Sequence, residues 1–283
     1  MLVTGIEILQ DAHKNNYAVG AFNVNNMEIV QAIIEAAEEL NSPVILQASQ
    51  GGLKYAGVEY IAALGKVAAE KAKVPVALHL DHGTDFQQIM LCIRHGFSSV
   101  MIDGSQYELE ENIAITKKVV EIAHAVGISV EAELGKIGGI EDDIVVDERE
   151  ATFTDPMEAK LFVDKTKVDY LAIAVGTAHG VYKGEPKLDF DRIKAIKEAV
   201  NIPLVLHGSS GVPNDAIEKA VSLGINKINI DTDLRIAFTD AIKDFLKKDP
   251  DNIDPRKILG PGKEAMKEVI KEKMRLFGSA GRA

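Results

Sequence analysis

Eight strand-like runs alternate with eight stretches of helical periodicity, with no linker or break in composition between them, and predict an α/β fold: a (β/α)8 barrel with an additional C-terminal helix. Turn residues at each junction keep the same phase along the whole chain. Three histidines each sit just past a strand-like run, where strands of a barrel would bring them to one rim.

The strand runs are 18–24 (AVGAFNV), 43–49 (PVILQAS), 76–81 (VALHLD), 99–103 (SVMID), 129–134 (SVEAEL), 170–176 (YLAIAVG), 204–210 (LVLHGSS) and 227–231 (KINID). Each is apolar and β-prone on both faces, as buried parallel strands are. Between them the apolar residues recur with helical spacing over 28–40, 58–72, 86–95, 109–126, 156–165, 190–200 and 214–223, and 233–247 follows the last strand. HGFSSV, VGISV and LGINKI place a glycine where each helix turns into the next strand, the left-handed position a helix end favours. NSPV, KVPV and NIPL make the same stop with proline. A doubly wound open sheet predicts fewer strands and a glycine-rich turn after the first, and here that turn reads FNVNN.

Two connections, 135–155 and 177–189, exceed the usual length for α/β units. On a barrel both follow strands and lie on the functional face, so they read as lid or binding loops. The polar stretch KKDPDNIDPRKILGPG leads to a last amphipathic helix over 263–277, which is surplus to the barrel and suited to cover its flank or reach a second subunit. Residues 1–283 thus read as one barrel domain, with 249–283 as its C-terminal extension.

At 46% hydrophobic and 27% charged, the 283 residues can bury a full core beneath a solvated surface. A net charge of −11 argues against nucleic acid as a partner, though a small anion can still be held by backbone amides. The single cysteine, Cys92, lies in a helical run and leaves no disulfide framework, which fits a reducing compartment. No run approaches the roughly 20 apolar residues of a membrane span, and the start of the chain lacks signal-peptide order. The expectation is a cytoplasmic protein.

The chemistry concentrates at the strand ends. His82, His179 and His207 would form a three-nitrogen set with an open fourth position, the arrangement that holds catalytic zinc. A lone histidine at a strand end is usually just a satisfied polar residue; three in matching places are not so easily dismissed. Asp81 precedes His82 and is either a helix cap or a carboxylate turned to the rim beside the metal. Asp103 and Glu133 end the next two strands, where an unpaired carboxylate is costly and often metal-linked. Glu131 shares the parity of Glu133 and fits the barrel interior. His79 lies inside its strand and reads as structural, as do His13, His95 and His124. HGSSG and NIDT, after the last two strands, stand where barrels bind phosphate with amides and a helix N-terminus. Gly180 permits a similar close approach, and Lys183 adds positive charge nearby.

Taken together, YAVGAFNVNN, SPVILQAS, LHLDHG, MIDGS, VEAELGKIGGIEDD, VGTAHGVYKGEPKLDF, LVLHGSSGVP, INKINIDTDLR and DPRKILGPG cover nearly the whole chain, and the chain resembles the class II, metal-dependent ketose-bisphosphate aldolases. That resemblance implies lyase activity: reversible aldol cleavage of fructose 1,6-bisphosphate to dihydroxyacetone phosphate and glyceraldehyde 3-phosphate. It implies that His82, His179 and His207 hold Zn2+, with Asp103 and Glu133 able to hold a second or displaced divalent ion. Asp81 matches the residue that exchanges a proton with the C4 oxygen, and Glu141, in GGIEDD, the mobile carboxylate acting at C3 of the triose phosphate. Gly180, Gly208, Ser209, Ser210, Asn229, Ile230, Asp231 and Thr232 match the triose-phosphate cradle, with Lys183 near it. A monovalent cation, K+ or Na+, is implied close to Gly180 and Gly208. Asn23 and Ser49 match substrate contacts, and Arg256 an arginine that binds the other phosphate, commonly across the interface of a homodimer or homotetramer.

The residue types suit the chemistry. Cleavage leaves negative charge beside a ketone, which a Lewis acid stabilises. Neutral imidazoles leave that ion its full charge, and phosphate contacts at both ends fix the scissile bond. Three alternatives stand beside this reading. A tagatose-1,6-bisphosphate aldolase would share the mechanism. A Schiff-base aldolase would need a lysine near the carboxyl end of a strand, whereas Lys227 is expected to begin its strand. A non-catalytic phosphosugar-binding barrel would not need the intact acid and histidine set.

Overall fold

The computed structural model describes residues 1–141, 144–146, 151–180, 182, 184 and 186–283; for 140, 141 and 144–146 the description is of the backbone alone. Eight parallel strands close into the expected barrel. They are β1 (Val19–Asn23), β2 (Val44–Ser49), β3 (Val76–Asp81), β4 (Ser99–Ile102), β5 (Ser129–Leu134), β8 (Tyr170–Ile173), β10 (Leu204–Leu206) and β11 (Ile225–Ile230), and β11 pairs back onto β1. Every residue of these strands is buried, which explains why their sequences run apolar instead of alternating. The remaining short strands, β6 (Gly138–Glu141), β7 (Ile144–Val146) and β9 (Ala178–His179), form a separate sheet above the barrel mouth. Both long connections therefore contain structure, and they pair with each other through Gly139 and His179.

All the predicted helices form. α2 (Met27–Glu39), α4 (Val58–Lys71), α5 (Phe86–Arg94), α6 (Leu109–Ala125), α7 (Pro156–Thr166), α8 (Phe190–Ala199), α9 (Asn214–Ser222) and α10 (Thr232–Lys248) surround the barrel. Two further helices were not expected. α3 (Gln50–Ala56) follows β2 directly, its N-terminus capped by the Ser49 side chain, which accepts from the Gly52 amide at 3.1 Å. α1 (Gly5–Asn15) precedes the first strand and closes the barrel floor. Its Ile8, Leu9 and Ala12 pack with the inward-facing Ala21, Ile45, Ala77, Met101 and Val205 in one apolar cluster. Each large side chain so buried stabilises the fold by about 1.5–3 kcal/mol. The signal for α1 was the capping box: the Glu7 amide donates to the Thr4 hydroxyl, and the Thr4 amide donates to the Glu7 carboxylate at 2.7 Å.

The last helix, α11, runs Pro255–Leu276 and so begins eight residues before the expected start at Lys263. Asp254 caps it by accepting from the Arg256 amide at 3.0 Å, with Pro255 in the first turn where its missing N–H costs nothing. Pro261, placed by the sequence in the polar stretch before this helix, lies inside it. Met266, Ile270 and Met274 are fully buried, and Lys263 and Lys271 pair with Glu35 and Glu39 of α2 at 2.5 and 2.9 Å. Tertiary packing thus outweighs the local penalty of the proline.

Candidate active site

The carboxyl ends of the strands gather most of the predicted residues into one buried to half-buried cluster. Asp81 is the last residue of β3, and His82 follows with φ of 49°, a left-handed conformation rare outside glycine. That turn answers the parity problem posed by two adjacent functional residues: the chain reverses its twist between them, and both reach the rim. Strain of this kind, about 1–3 kcal/mol, persists where the surroundings impose it. Asp85, not Asp81, caps the following helix, accepting from the Gln87 amide at 3.0 Å.

The three imidazoles converge. Ring centroids lie 5.0 Å apart for His82 and His179, 4.6 Å for His82 and His207, and 5.9 Å for His179 and His207. One nitrogen from each lies within 4.8 Å of the others. Carboxylates set the tautomers of two rings. Asp103 Oδ2 faces His82 Nδ1 at 2.9 Å, and Glu131 Oε1 faces His207 Nε2 at 2.8 Å. A carboxylate only accepts, so both of those ring nitrogens carry the hydrogen. In the neutral rings this leaves His82 Nε2 and His207 Nδ1 as lone pairs facing each other 2.8 Å apart. Two lone pairs at that distance repel unless a cation lies against both, and carboxylates orienting the far side of each ring are the usual support of a metal site. The donor set therefore fits a divalent ion of zinc type.

Electrostatics agree. Burial pushes His207 below its usual value, outweighing the opposing pull of Glu131, so the ring is held neutral. Burial would raise Asp103, but His82 and the Ser105 hydroxyl and amide together bring it down to about 2. Burial likewise opposes ionisation of Glu131, and Lys227 with the two histidine rings overrides it, holding the carboxyl well below the usual range. Glu133 completes a second grouping with His82 and Asp103, its Oε2 standing 4.0 Å from His82 Nδ1. That grouping is where the sequence placed a second ion.

Asp81 is fully buried and held by three amide donors. Asn23 Nδ2 and Gln47 Nε2 donate to Oδ2 at 3.0 and 3.1 Å, and Asn229 Nδ2 donates to Oδ1 at 3.1 Å. Strand register makes this possible, since Asn23 is level with Gln47 and Ser49 with Asp81. Ser49, expected to touch substrate, is buried at the same rim and caps α3.

The cradle also assembles. A cavity beside the histidines is lined by Gly180, Gly208, Ser209, Ser210, Asp231 and Thr232, and Asn23, His179 and Asn229 reach it as well. Gly180 and Gly208 both have positive φ. A Cβ on Gly208 would stand 2.5 Å from the Ala178 carbonyl oxygen, so only glycine lets this turn lie against the His179 strand. Ser210 Oγ accepts from the amides of Asp231 and Asp233, both at 3.4 Å, tying the Gly-Ser turn to the start of α10. Ile230 does not line the cavity, and its side chain lies in the apolar core.

Other expectations fall elsewhere. Arg256 is exposed on α11, paired with Asp254 at 2.9 Å, and does not line this chain's cavity. Lys183 lies outside the described residues, and the Glu141 side chain does too, although its backbone ends β6. Lys227, expected at the start of its strand, is instead its third residue, fully buried inside the barrel. The sequence reading missed Arg235, which lines the cavity one helical turn from Asp231 and pairs with it at 2.6 Å. It also missed Tyr182, whose hydroxyl accepts from the Ala178 amide at 2.8 Å and donates to the Gly208 carbonyl at 2.7 Å. Arginine at i+4 from an N-terminal aspartate was a readable signal for the first; nothing local marked the second.

A barrel with a histidine trio beside a glycine- and serine-lined cavity at its carboxyl face fits the class of metal-assisted enzymes acting on phosphorylated small molecules. The family model described as fructose-bisphosphate aldolase class-II matches residues 3–282, and the chain belongs to that family, generally divalent-metal dependent lyases of phosphosugars. A fructose-bisphosphate aldolase from Thermus caldophilus is 51% identical across 100% of both chains. A sulfofructosephosphate aldolase from Alkalicoccus urumqiensis is 48% identical over 99% of this chain and 98% of its own. Among solved structures, the YdjI aldolase from Escherichia coli K12 superposes with a TM-score of 0.89 at 38% identity, covering 100% of each chain. No helix among the described residues is long and apolar enough to cross a membrane.

Proposed function

We propose that this protein cleaves fructose 1,6-bisphosphate reversibly into dihydroxyacetone phosphate and glyceraldehyde 3-phosphate in the cytoplasm. His82, His179 and His207 hold Zn2+ in this reading. The observation that carries it is the facing pair of imidazole lone pairs, each set by a carboxylate on the far side of its ring. When bound, the ion supplies Lewis-acid polarisation of the substrate ketone. Gly180, the Gly208–Ser210 turn and the Asp231–Thr232 helix start hold the triose phosphate, with the Arg235 guanidinium offsetting the Asp231 carboxylate beside it. Lys183 and a K+ or Na+ ion near Gly180 and Gly208 add positive charge to this end.

Asp81 carries the proton to and from the C4 oxygen. Its three amide partners fix both carboxylate oxygens, so the proton moves at a defined position. Glu141 acts at C3, its strand tied by the Gly139–His179 register to the segment that carries a metal ligand. Asn23 and Ser49 contact the sugar chain. Arg256, outward-facing on its own chain, serves the second phosphate of a partner in a homodimer or homotetramer. Asp103 and Glu133 take a displaced ion.

The test is a cleavage assay with added Zn2+ on fructose and tagatose 1,6-bisphosphates and on the sulfofructose phosphate that the Alkalicoccus urumqiensis relative is named for. Preference for the fructose substrate, loss of activity with a chelator and no covalent trapping by borohydride are expected. Turnover that survives complete metal removal, or a lysine labelled by borohydride, would refute the reading.

A further inference from the structure

Lys227 is a buried cation with no part in the chemistry above. It projects from the middle of β11 into the barrel, fully buried, beneath the metal site. Its Nζ stands 2.8 Å from Glu131 Oε2 and donates to Asn229 Oδ1 at 2.8 Å. Each partner leads to a working part of the site. Glu131 uses its other oxygen to hold the His207 Nε2 hydrogen, which turns Nδ1 of that ring towards His82. Asn229 uses its amide nitrogen to hold Asp81 Oδ1 at 3.1 Å, and the same nitrogen lies 3.3 Å from His207 Nε2.

The Asn229 contact fixes more than distance. An ammonium has only hydrogens to offer, so the amide atom facing Lys227 must be the oxygen. The amide nitrogen is then forced towards Asp81 Oδ1. Were the amide flipped, its oxygen would face the carboxylate oxygen at 3.1 Å and repel it. The Glu131 contact is a close ion pair. This carboxylate is fully buried and its Oε2 also lies 3.3 Å from His79 Nε2, whose Nδ1 is held by Ser99 at 2.7 Å. His79 Nε2 lies near that oxygen without an aligned hydrogen bond to it, so His79 does not hold Glu131 in place. Lys227 Nζ thus stands against one oxygen of Glu131 while the other oxygen holds His207.

We propose that Lys227 is a positioning residue that couples the two halves of the active site, setting the metal-facing nitrogen of His207 through Glu131 and the orientation of Asp81 through Asn229. This rests on the metal and proton roles proposed above. It assigns Lys227 no covalent step, since its Nζ is engaged by both partners well inside the strand.

The two arms are separable by experiment. Lys227→Met leaves Glu131 without its counter-charge, while the double variant Lys227→Met/Glu131→Gln removes both charges and retains an acceptor for His207. Zn2+ affinity is measured by chelator competition, kcat and KM by fructose bisphosphate cleavage at saturating Zn2+, and folding by thermal unfolding. Lys227→Met is expected to weaken Zn2+ binding about 10–100-fold, the usual effect of removing a ligand's support. The double variant should recover Zn2+ affinity to within about tenfold, yet keep kcat depressed at least about 100-fold with KM little changed, because Asn229 stays unanchored. Equal recovery of both properties would overturn the coupling, as would a double variant that folds but binds Zn2+ no better than the single one. Wild-type protein that binds no Zn2+, or binds it without cleaving any bisphosphate, would instead sink the functional reading.

Discussion

Gly208→Ala offers a sharp test of how closely the backbone is built around the proposed metal site. Gly208 has φ of 62°, and an alanine there costs about 1–2 kcal/mol from conformation alone. The larger effect is steric. The new Cβ would lie 2.5 Å from the Ala178 carbonyl oxygen, where ordinary contact begins at 3.4 Å, so the two segments must part by about 0.9 Å. Ala178 immediately precedes His179, and Gly139 also packs against that strand, where a Cβ would meet the His179 carbonyl oxygen. The strand therefore cannot simply retreat. Metal–ligand distances tolerate only about 0.2 Å, so His179 would leave its bonding position and Zn2+ affinity should fall at least about 100-fold, or ~2.7 kcal/mol. Gly127→Ala is the control: φ is 72° there, and nothing lies within 4 Å of the added Cβ. Chelator competition and thermal unfolding on both variants separate the effects. If Gly208→Ala binds Zn2+ as tightly as Gly127→Ala, the steric reasoning is wrong.

Asp81→Asn should retain Zn2+ and fold normally while kcat falls by about 10²–10⁴, because the amide cannot exchange the proton; near-wild-type turnover would exclude that role. Cys92, buried and pushed up to about 12, should have roughly one thiolate in ten thousand at pH 8, and a thiol reagent should label it only as the protein unfolds. Rapid labelling of folded protein would contradict this. Thr4→Ala should destabilise the fold by about 1 kcal/mol, seen as a lower Tm, through loss of the cap on the helix that closes the barrel floor. Glu7, its partner, sits below its usual value through hydrogen bonds from Thr4. Its share of that stability is complete above pH 4.5 and fades as pH falls below, so an acid titration in which Glu7→Gln matches wild type throughout would dispose of it.

The barrel was legible because buried parallel strands are apolar on both faces and the helices between them carry an apolar stripe, and both patterns are local. The histidines at 82, 179 and 207 and the Gly-Ser turn were legible for a related reason: each ends a recognisable strand, and closure of the barrel brings strand ends to one rim. Sequence was weaker where packing overrides local preference. Pro261 lies inside α11 because Met266, Ile270 and Met274 are buried and lysines lock the helix onto α2. Nor could chain order show that Lys227 and Glu131 meet, or that Tyr182 ties the Gly208 turn to the strand of His179. Those contacts join residues far apart along the chain, and their energy depends on removing charges and hydrogen-bonding groups from water together. Residue types and their periodicity thus determined which groups arrive at the mouth of the barrel. Only the closed fold decided which nitrogen each ring presents, because that choice depends on a buried carboxylate supplied by another strand.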